Sequence, residues 1–308
     1  MALTSAQRSV LAEGSLAGLS VGDAFGDQFF VLDNRDVSPA SGLPPAPWEW
    51  SDDTQMACSI VDVLNRHGRI EQDDLAESFT ERMDVGRRYG AGAYELLTRV
   101  RQGDHWHRAS REAFGGKGSF GNGAAMRVAP LGAYFSDDPE RAAAEAALSA
   151  EVTHAHVEGI AGAVATAAAA AHAAAHRGTE IKPRELLDAA LERTTMGQYV
   201  RRGLHRARAL LAKEPAEAAH ELGNGNRITA QDTVPYALWA AATRLTDFEA
   251  AVRACAMVGG DMDTTAAIAG GVVGAHLGAE GIPASWLAAR EPLPDWIATG
   301  ASARRETD

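Results

Sequence analysis

Residues 53–68, DTQMACSIVDVLNRHG, decide the fold class. Met56, Ile60, Val63 and Leu64 recur at three- and four-residue spacing, which places them on one stripe of an α-helix. Gly68 closes the segment, because glycine readily takes the left-handed conformation that ends helices. The same period runs through QDDLAESFTERM (72–83), PERAAAEAALSAEV (139–152), PRELLDAALERTT (183–195) and LHRARALLAKEP (204–215). No run of Val, Ile, Thr and aromatic residues alternates strictly over the length of a strand, so no sheet is expected. No Pro/Ser/Gly tract is long enough to be a linker, and no fixed-period repeat is visible. The chain reads as all-α, one compact multi-helix domain over residues 1–308.

The 41 acidic and 29 basic residues leave a formal charge of −12. That balance argues against a broad electrostatic footprint for nucleic acid or an anionic membrane. Cys58 and Cys255 have no metal-ligand spacing and read as buried thiols, so disulfide stapling is not expected and a reducing cytoplasm fits. The start, MALTSAQRSVLAEG, lacks the charged opening and apolar run of a signal peptide. GIAGAVATAAAAAHAAAHR (159–177) is the stretch nearest to a membrane span, but weakly apolar alanine and two histidines favour a tightly packed internal helix. A monomer is expected.

Two acidic turns of one chemical type stand at opposite ends of the chain. WEWSDDTQMACSI (48–60) carries Ser51, Asp52, Asp53 and Thr54, and GGDMDTTAAIAGG (259–271) carries Asp261, Asp263, Thr264 and Thr265. Either alone serves as a helix N-cap, since a hydroxyl or carboxylate there accepts from free backbone amides. Asp261 and Asp263 would diverge within a helix, but at its mouth, after two glycines, both can turn to one point. Together the turns supply four carboxylates and several hydroxyls without Cys or His. That is the oxygen-only ligand set of Mg²⁺, Mn²⁺ or Ca²⁺ rather than zinc.

DMDTT also fits the D-x-D-x-T pattern of haloacid-dehalogenase-type phosphatases, but too little chain follows for the α/β domain that chemistry needs. GGKGSFGNG (115–123) is shaped like a phosphate loop, yet Gly118 follows Lys117 where Ser or Thr would hold Mg²⁺, and no strand precedes it. Its glycines can still cradle an anion through backbone amides, or form no more than a flexible turn.

Taken together and in this order, GSLAGLSVGDAFG (14–26), WSDDTQMA (50–57), GKGSFGNGAAMRVAPLG (116–132) and GGDMDTTAAIAGG resemble the ADP-ribosylhydrolase, or ADP-ribosylglycohydrolase, family, which includes the dinitrogenase-reductase-activating glycohydrolases. VTHAHVEGIAGAVA (152–165) and LGNGNRITAQDTVPYALWA (222–240) extend the likeness from about Gly14 to Gly278. The KGSFGNG-AMR stretch is most similar to the branch acting on serine-linked ADP-ribose, poly(ADP-ribose) and O-acetyl-ADP-ribose. The resemblance implies an all-α domain with two Mg²⁺ ions in a central cleft, where Mn²⁺ would also suit, and an ADP-ribose-containing substrate. By position it makes Ser51, Asp52, Asp53, Asp261, Asp263 and Thr264 metal ligands. Phe114, Gly118, Ser119, Phe120, Gly121, Asn122 and His154 match residues that hold the ADP-ribose.

One departure matters. The family pattern often runs G-D-A-x-G-x-x-x-E, with the glutamate activating or positioning the attacking water, and GDAFGDQFF (22–30) puts Phe30 in its place. Phenylalanine cannot take a proton. Asp27, one residue past Gly26, is the nearest substitute, with Glu49 second, so Asp27 and Asp261 are the candidate catalytic groups. Gly14, Gly18 and Gly22 give the first helix a close-packing face, which should make it internal and deliver Asp27 to the site. The expected activity is Mg²⁺-dependent release of ADP-ribose from an acceptor. Its rivals are a silent ADP-ribose-binding module, which Phe30 favours, and a hydrolase of another nucleotide glycoside.

Overall fold

The periodic segments fold as fifteen α-helices in the computed structural model, which describes residues 3–297. Among these residues there is no strand, and only two isolated bridges pair extended backbone, Trp48 with Arg290 and Gly121 with Thr229. The ends of the expected domain, residues 1–2 and 298–308, lie outside the described residues.

Local chemistry sets the helix ends. Thr4 and Gln7 form a reciprocal capping box at the start of the first helix, Ser5–Asp27. Ser51 caps the second, Asp52–His67, which ends at Gly68 with φ 68°. Asp138 and Asp247 cap Pro139–Glu151 and Phe248–Ala256 in the same way.

The alanine-rich stretch forms the helix Val157–Ala175, long and apolar enough to cross a membrane and mostly buried inside the fold. It packs against Ala129–Tyr134, Pro139–Glu151, Pro183–Arg193, Ala230–Thr243 and Met262–Leu277. Small side chains let these neighbours approach closely.

The tightest seam joins Ser5–Asp27 to Met262–Leu277, the first and one of the last helices of the chain. A Cβ on Gly18 would collide with the Gly270 carbonyl, one on Gly22 with that of Ala266, and one on Gly26 with that of Met262. Across the seam Gly270 and Gly274 meet the backbone of Gly18 and Gly14. Backbone therefore lies on backbone from Gly14 to Gly26, about three helical turns. The seam ends where Gly26 meets the Cα of Asp263, which sets the last turn of one helix against the first turn of the other.

The loop 31–50 is held in place rather than left free. Arg253 donates to the carbonyls of Pro39 (2.8 Å) and Gly42 (2.9 Å), and Trp48 Nε1 donates to Pro44 (2.9 Å). Trp48 also exchanges backbone bonds with the chain's end, its N–H donating to Ala289 and its carbonyl accepting from Glu291. Phe25 stacks on Trp286 at 4.4 Å, with Trp48 edge-on to both.

Substitution at the seam tests its closeness. Alanine for glycine in an open helix stabilises by up to about 1 kcal/mol. Gly18→Ala and Gly22→Ala should instead each cost about 1–3 kcal/mol, because backbone atoms cannot move aside as side chains do. Urea denaturation showing either variant as stable as the wild type would contradict backbone contact at the seam.

Candidate active site

Asp23 closes the seam's end and organises the site. Wholly buried on the first helix, its carboxylate accepts from Ser51 N–H (3.0 and 3.2 Å), Thr54 N–H (3.1 Å) and the Thr54 hydroxyl (2.5 Å). It thus caps the second helix from another part of the chain, satisfying amides that a helix start leaves free. Ser51 Oγ accepts from Asp53 N–H (3.2 Å) and donates to Asp53 Oδ2 (3.1 Å). Asp53 Oδ1 is buried without a hydrogen-bond partner.

From the other helix, Asp263 Oδ1 accepts from Thr264 N–H at 2.9 Å. Asp261 occupies the N-cap position of Met262–Leu277 but makes no side-chain cap bond, and its carboxylate accepts instead from Asn122 Nδ2 at 2.6 Å. Carboxylate oxygens of Asp23, Asp53 and Asp263 lie within 4.8 Å of one another. Burial raises the pKa of each: Asp23 to about 6, with the charge of Asp263 adding to it, and Asp263 to about 8, with Asp261 adding to it. Asp52 and Asp53 are pushed well above the ordinary range, by burial first and then by neighbouring carboxylates. An orphaned carboxylate oxygen, crowded acids and an all-oxygen donor set suit a hard divalent cation.

The cluster opens on a cleft of about 470 Å³. Asp52, Asp53, Asp261, Asp263 and Thr264 line it. So do Phe114, Ser119, Phe120, Gly121, Asn122 and His154. The two phenylalanine rings are 6.1 Å apart and tilted. Phe114 has φ 54° and breaks the end of Trp106–Gly116, which leaves its ring 60% exposed over the cleft.

The turn 118–122 is fixed from three sides. Ser119 Oγ accepts from Gly121 N–H (3.2 Å), the Phe120 carbonyl accepts from Ala230 N–H (3.0 Å), and Asn122 Nδ2 also donates to Thr233 Oγ1 (3.0 Å). Gly118 has φ 72°, and a Cβ there would strike the backbone of Ala155 and His156. His154 is bonded through Nδ1 to Thr153 Oγ1 (2.7 Å), and burial, aided by the charge of Arg127, lowers its pKa to about 3. It is a neutral group near pH 7, its Nε2 edge set against Gly121 and Gly123.

Three of the expected site residues do not line the cleft: Ser51, Gly118 and Asp27. Ser51 and Gly118 shape the turns beside them. Asp27 forms an ion pair with Arg88, and its side chain is 1% exposed. Burial raises its pKa to about 8 against the opposing pull of Arg88. To take a proton from a water in the cleft, Asp27 would first have to release Arg88. Phe30 and Glu49 are also off the cleft wall. The sequence reading missed the part played by Asp23, although it lies within the quoted GDAFG, one turn before Asp27. It also missed Arg88, Arg127, Arg227 and Ile228 on the cleft wall.

The crowded carboxylates predict a pH dependence. Their folded-state pKa values exceed the unfolded value near 4, so the stability they bring is full below about pH 4 and is lost as pH rises through the folded values. In chelator, the melting temperature should fall from pH 5.5 to pH 8, and Asp263→Asn should flatten that fall. A melting temperature that rises across the interval would refute the clustering.

The ADP-ribosylglycohydrolase family model matches residues 4–307. The chain is 30% identical over 325 residues to the ADP-ribosylhydrolase ARH3 of Xenopus tropicalis, covering 92% of this chain and 91% of that protein. It is 29% identical to the human ARH3, covering 89% and 87%, and 27% identical to the ADP-ribosylarginine hydrolase Tri1 of Pseudomonas putida, covering 92% and 75%. A solved structure of an ADP-ribosylglycohydrolase-related protein complex superposes with a TM-score of 0.70 at 27% identity, covering 98% of this chain and 99% of that one. Agreement in sequence and in helical architecture over nearly the whole length shows that the chain belongs to the ADP-ribosylglycohydrolase family, a family of glycosidic-bond hydrolases.

Proposed function

We propose that this protein is a Mg²⁺-dependent hydrolase that releases ADP-ribose from an ADP-ribosylated acceptor. The observation that carries the reading is the opening of two built features on one cleft: the buried carboxylates of both acidic turns and the glycine turn 118–122. Relatives bearing the name ADP-ribosylhydrolase over most of this chain support it.

Asp23, Asp53 and Asp263, with Asp52, Asp261, Ser51 and Thr264 around them, would hold one or two Mg²⁺ ions, and Mn²⁺ suits the same oxygens. Such ions would supply positive charge to orient the vicinal hydroxyls of a bound ribose and to ease deprotonation of a water. The chain's own residues do the rest. In the turn the amides of Gly118 and Gly121 are taken by the Ala113 carbonyl and Ser119 Oγ, so those of Ser119 and Phe120 are the ones that would meet the diphosphate. Phe114 and Phe120 would give flat apolar surfaces to the base, and Asn122 ties the turn to Asp261. Held so, the anomeric carbon is presented to water as the acceptor departs.

A silent ADP-ribose-binding module is the second reading, favoured by Phe30 in place of an acid and by the pairing of Asp27 with Arg88.

Mg²⁺ should raise the melting temperature of the wild type by linkage, and Asp53→Asn or Asp263→Asn should abolish both that rise and turnover. Variants that turn over at the wild-type rate in chelator would defeat the metal reading. Calorimetry in Mg²⁺ should show ADP-ribose binding, with AMP much weaker because it lacks the distal ribose. Asn122→Ala should cost about 1–3 kcal/mol of that binding, since it removes a buried donor shared by Asp261 and Thr233. Binding without release of ADP-ribose from any linkage would establish the silent module instead.

A further inference from the structure

Arg88 holds neither the metal nor the ADP-ribose in the reading above, yet the fold goes to some length to place it. Its backbone is left-handed, φ 63° and ψ 34°, a conformation that side-chain-bearing residues take only when their surroundings impose it. Both neighbours are pinned. Arg87 makes a two-pronged bond to Glu291 (2.7 and 2.8 Å) and stacks on Trp50, while the Tyr89 hydroxyl donates to Gln55 (2.8 Å). Between them Arg88 is turned onto the cleft wall.

Its guanidinium pairs through Nη2 with Asp27, and among the described residues it bonds to no other group. The Arg88 side chain is 43% exposed, so the rest of the fork is open to the cleft. Asp27 lies one helical turn beyond Asp23, on the same face of the first helix, and its Oδ1 is buried without a hydrogen-bond partner. On the reading proposed above, a distal ribose held over Asp23, Asp53 and Asp263 would have the Asp27–Arg88 pair beside it, since Asp27 is close enough to Asp23 and Asp263 to feel their charge and Arg88 lines the same cleft.

A buried carboxylate beside the acceptor is the group that would recognise a guanidinium, by a charge-assisted bond. Here the chain's own guanidinium already occupies it. An arginine acceptor would have to lie against Arg88, like charge to like, or displace it from Asp27 and leave it unpaired. A hydroxyl-linked acceptor meets neither obstacle and finds open donors on the fork. We propose that Arg88 is a specificity-determining residue, an internal guanidinium that occupies Asp27 at the acceptor end of the cleft and restricts the substrate class to ADP-ribose on uncharged, hydroxyl-type acceptors. This rests on the ADP-ribose-releasing reading of the same cleft.

The test compares kcat/KM on two peptides identical except that ADP-ribose is carried on serine or on arginine. Wild type should favour the serine-linked peptide by roughly tenfold or more. Arg88→Gly removes the guanidinium while suiting the left-handed backbone, so the fold should hold, and the arginine-to-serine ratio should rise about tenfold or more. Arg88→Lys, which keeps the charge, should leave the ratio low. Adding Asp27→Asn to Arg88→Gly removes the exposed carboxylate and should cancel the gain. A wild type that cleaves both peptides equally, an unchanged ratio in Arg88→Gly, or a gain that survives Asp27→Asn would each overturn the proposal. Calorimetry with ADP-ribose and Mg²⁺ separates the two levels: binding with an unchanged ratio overturns the role of Arg88 alone, and no binding overturns the functional reading together with it.

Discussion

Backbone-to-backbone contact between Ser5–Asp27 and Met262–Leu277 is the constraint on which the site depends. Side chains at the seam would hold the helix axes apart by the width of at least a methyl group. Gly18, Gly22, Gly26, Gly270 and Gly274 remove that width. Asp23 and Asp263 sit at the closing end, so a small increase in helix separation would carry their carboxylates apart. Glycine is costly in a helix interior, and close dispersion contact along the seam offsets that cost.

The seam concentrates charge that the fold alone would not favour. Asp23, Asp52, Asp53 and Asp263 all have raised pKa values because they are buried together with little to neutralise them. Arg127, on the same cleft wall, does not form an ion pair with them; it donates to the Ser149 carbonyl and Thr153 Oγ1 and faces the Phe79 ring. Its own pKa is lowered to about 9 by burial. Crowded acids and an unpaired oxygen on Asp53 are the features of a site that a cation could occupy.

The loops around this centre are tied to the far end of the chain. Trp48 bonds to the backbone at 289 and 291, Trp50 Nε1 donates to the Pro292 carbonyl, and Glu291 grips Arg87. Residues 289–292 thereby hold both the strand of loop leading into Ser51 and the turn that presents Arg88. The acidic turn owes its position to the first helix, to Met262–Leu277 and to this late segment together.

The sequence by itself determined the local chemistry. Apolar spacing in 53–68 specified a helix, Ser51 and Gly68 marked its ends, and the glycine spacing of the first helix announced a close-packed face. The two acidic turns announced an oxygen-rich site because hydroxyls and carboxylates at helix starts are written in consecutive residues. Only the tertiary structure decided what each carboxylate faces. Asp23 and Asp27 are four residues apart on one helix, and nothing in their spacing distinguishes them. Contact with Ser51 and Thr54 makes one the hub of the acidic cluster, and contact with Arg88, sixty-one positions away, withdraws the other behind an ion pair. Those partners come from the packing of distant segments, and pairing of that kind leaves no periodic or compositional trace along the chain.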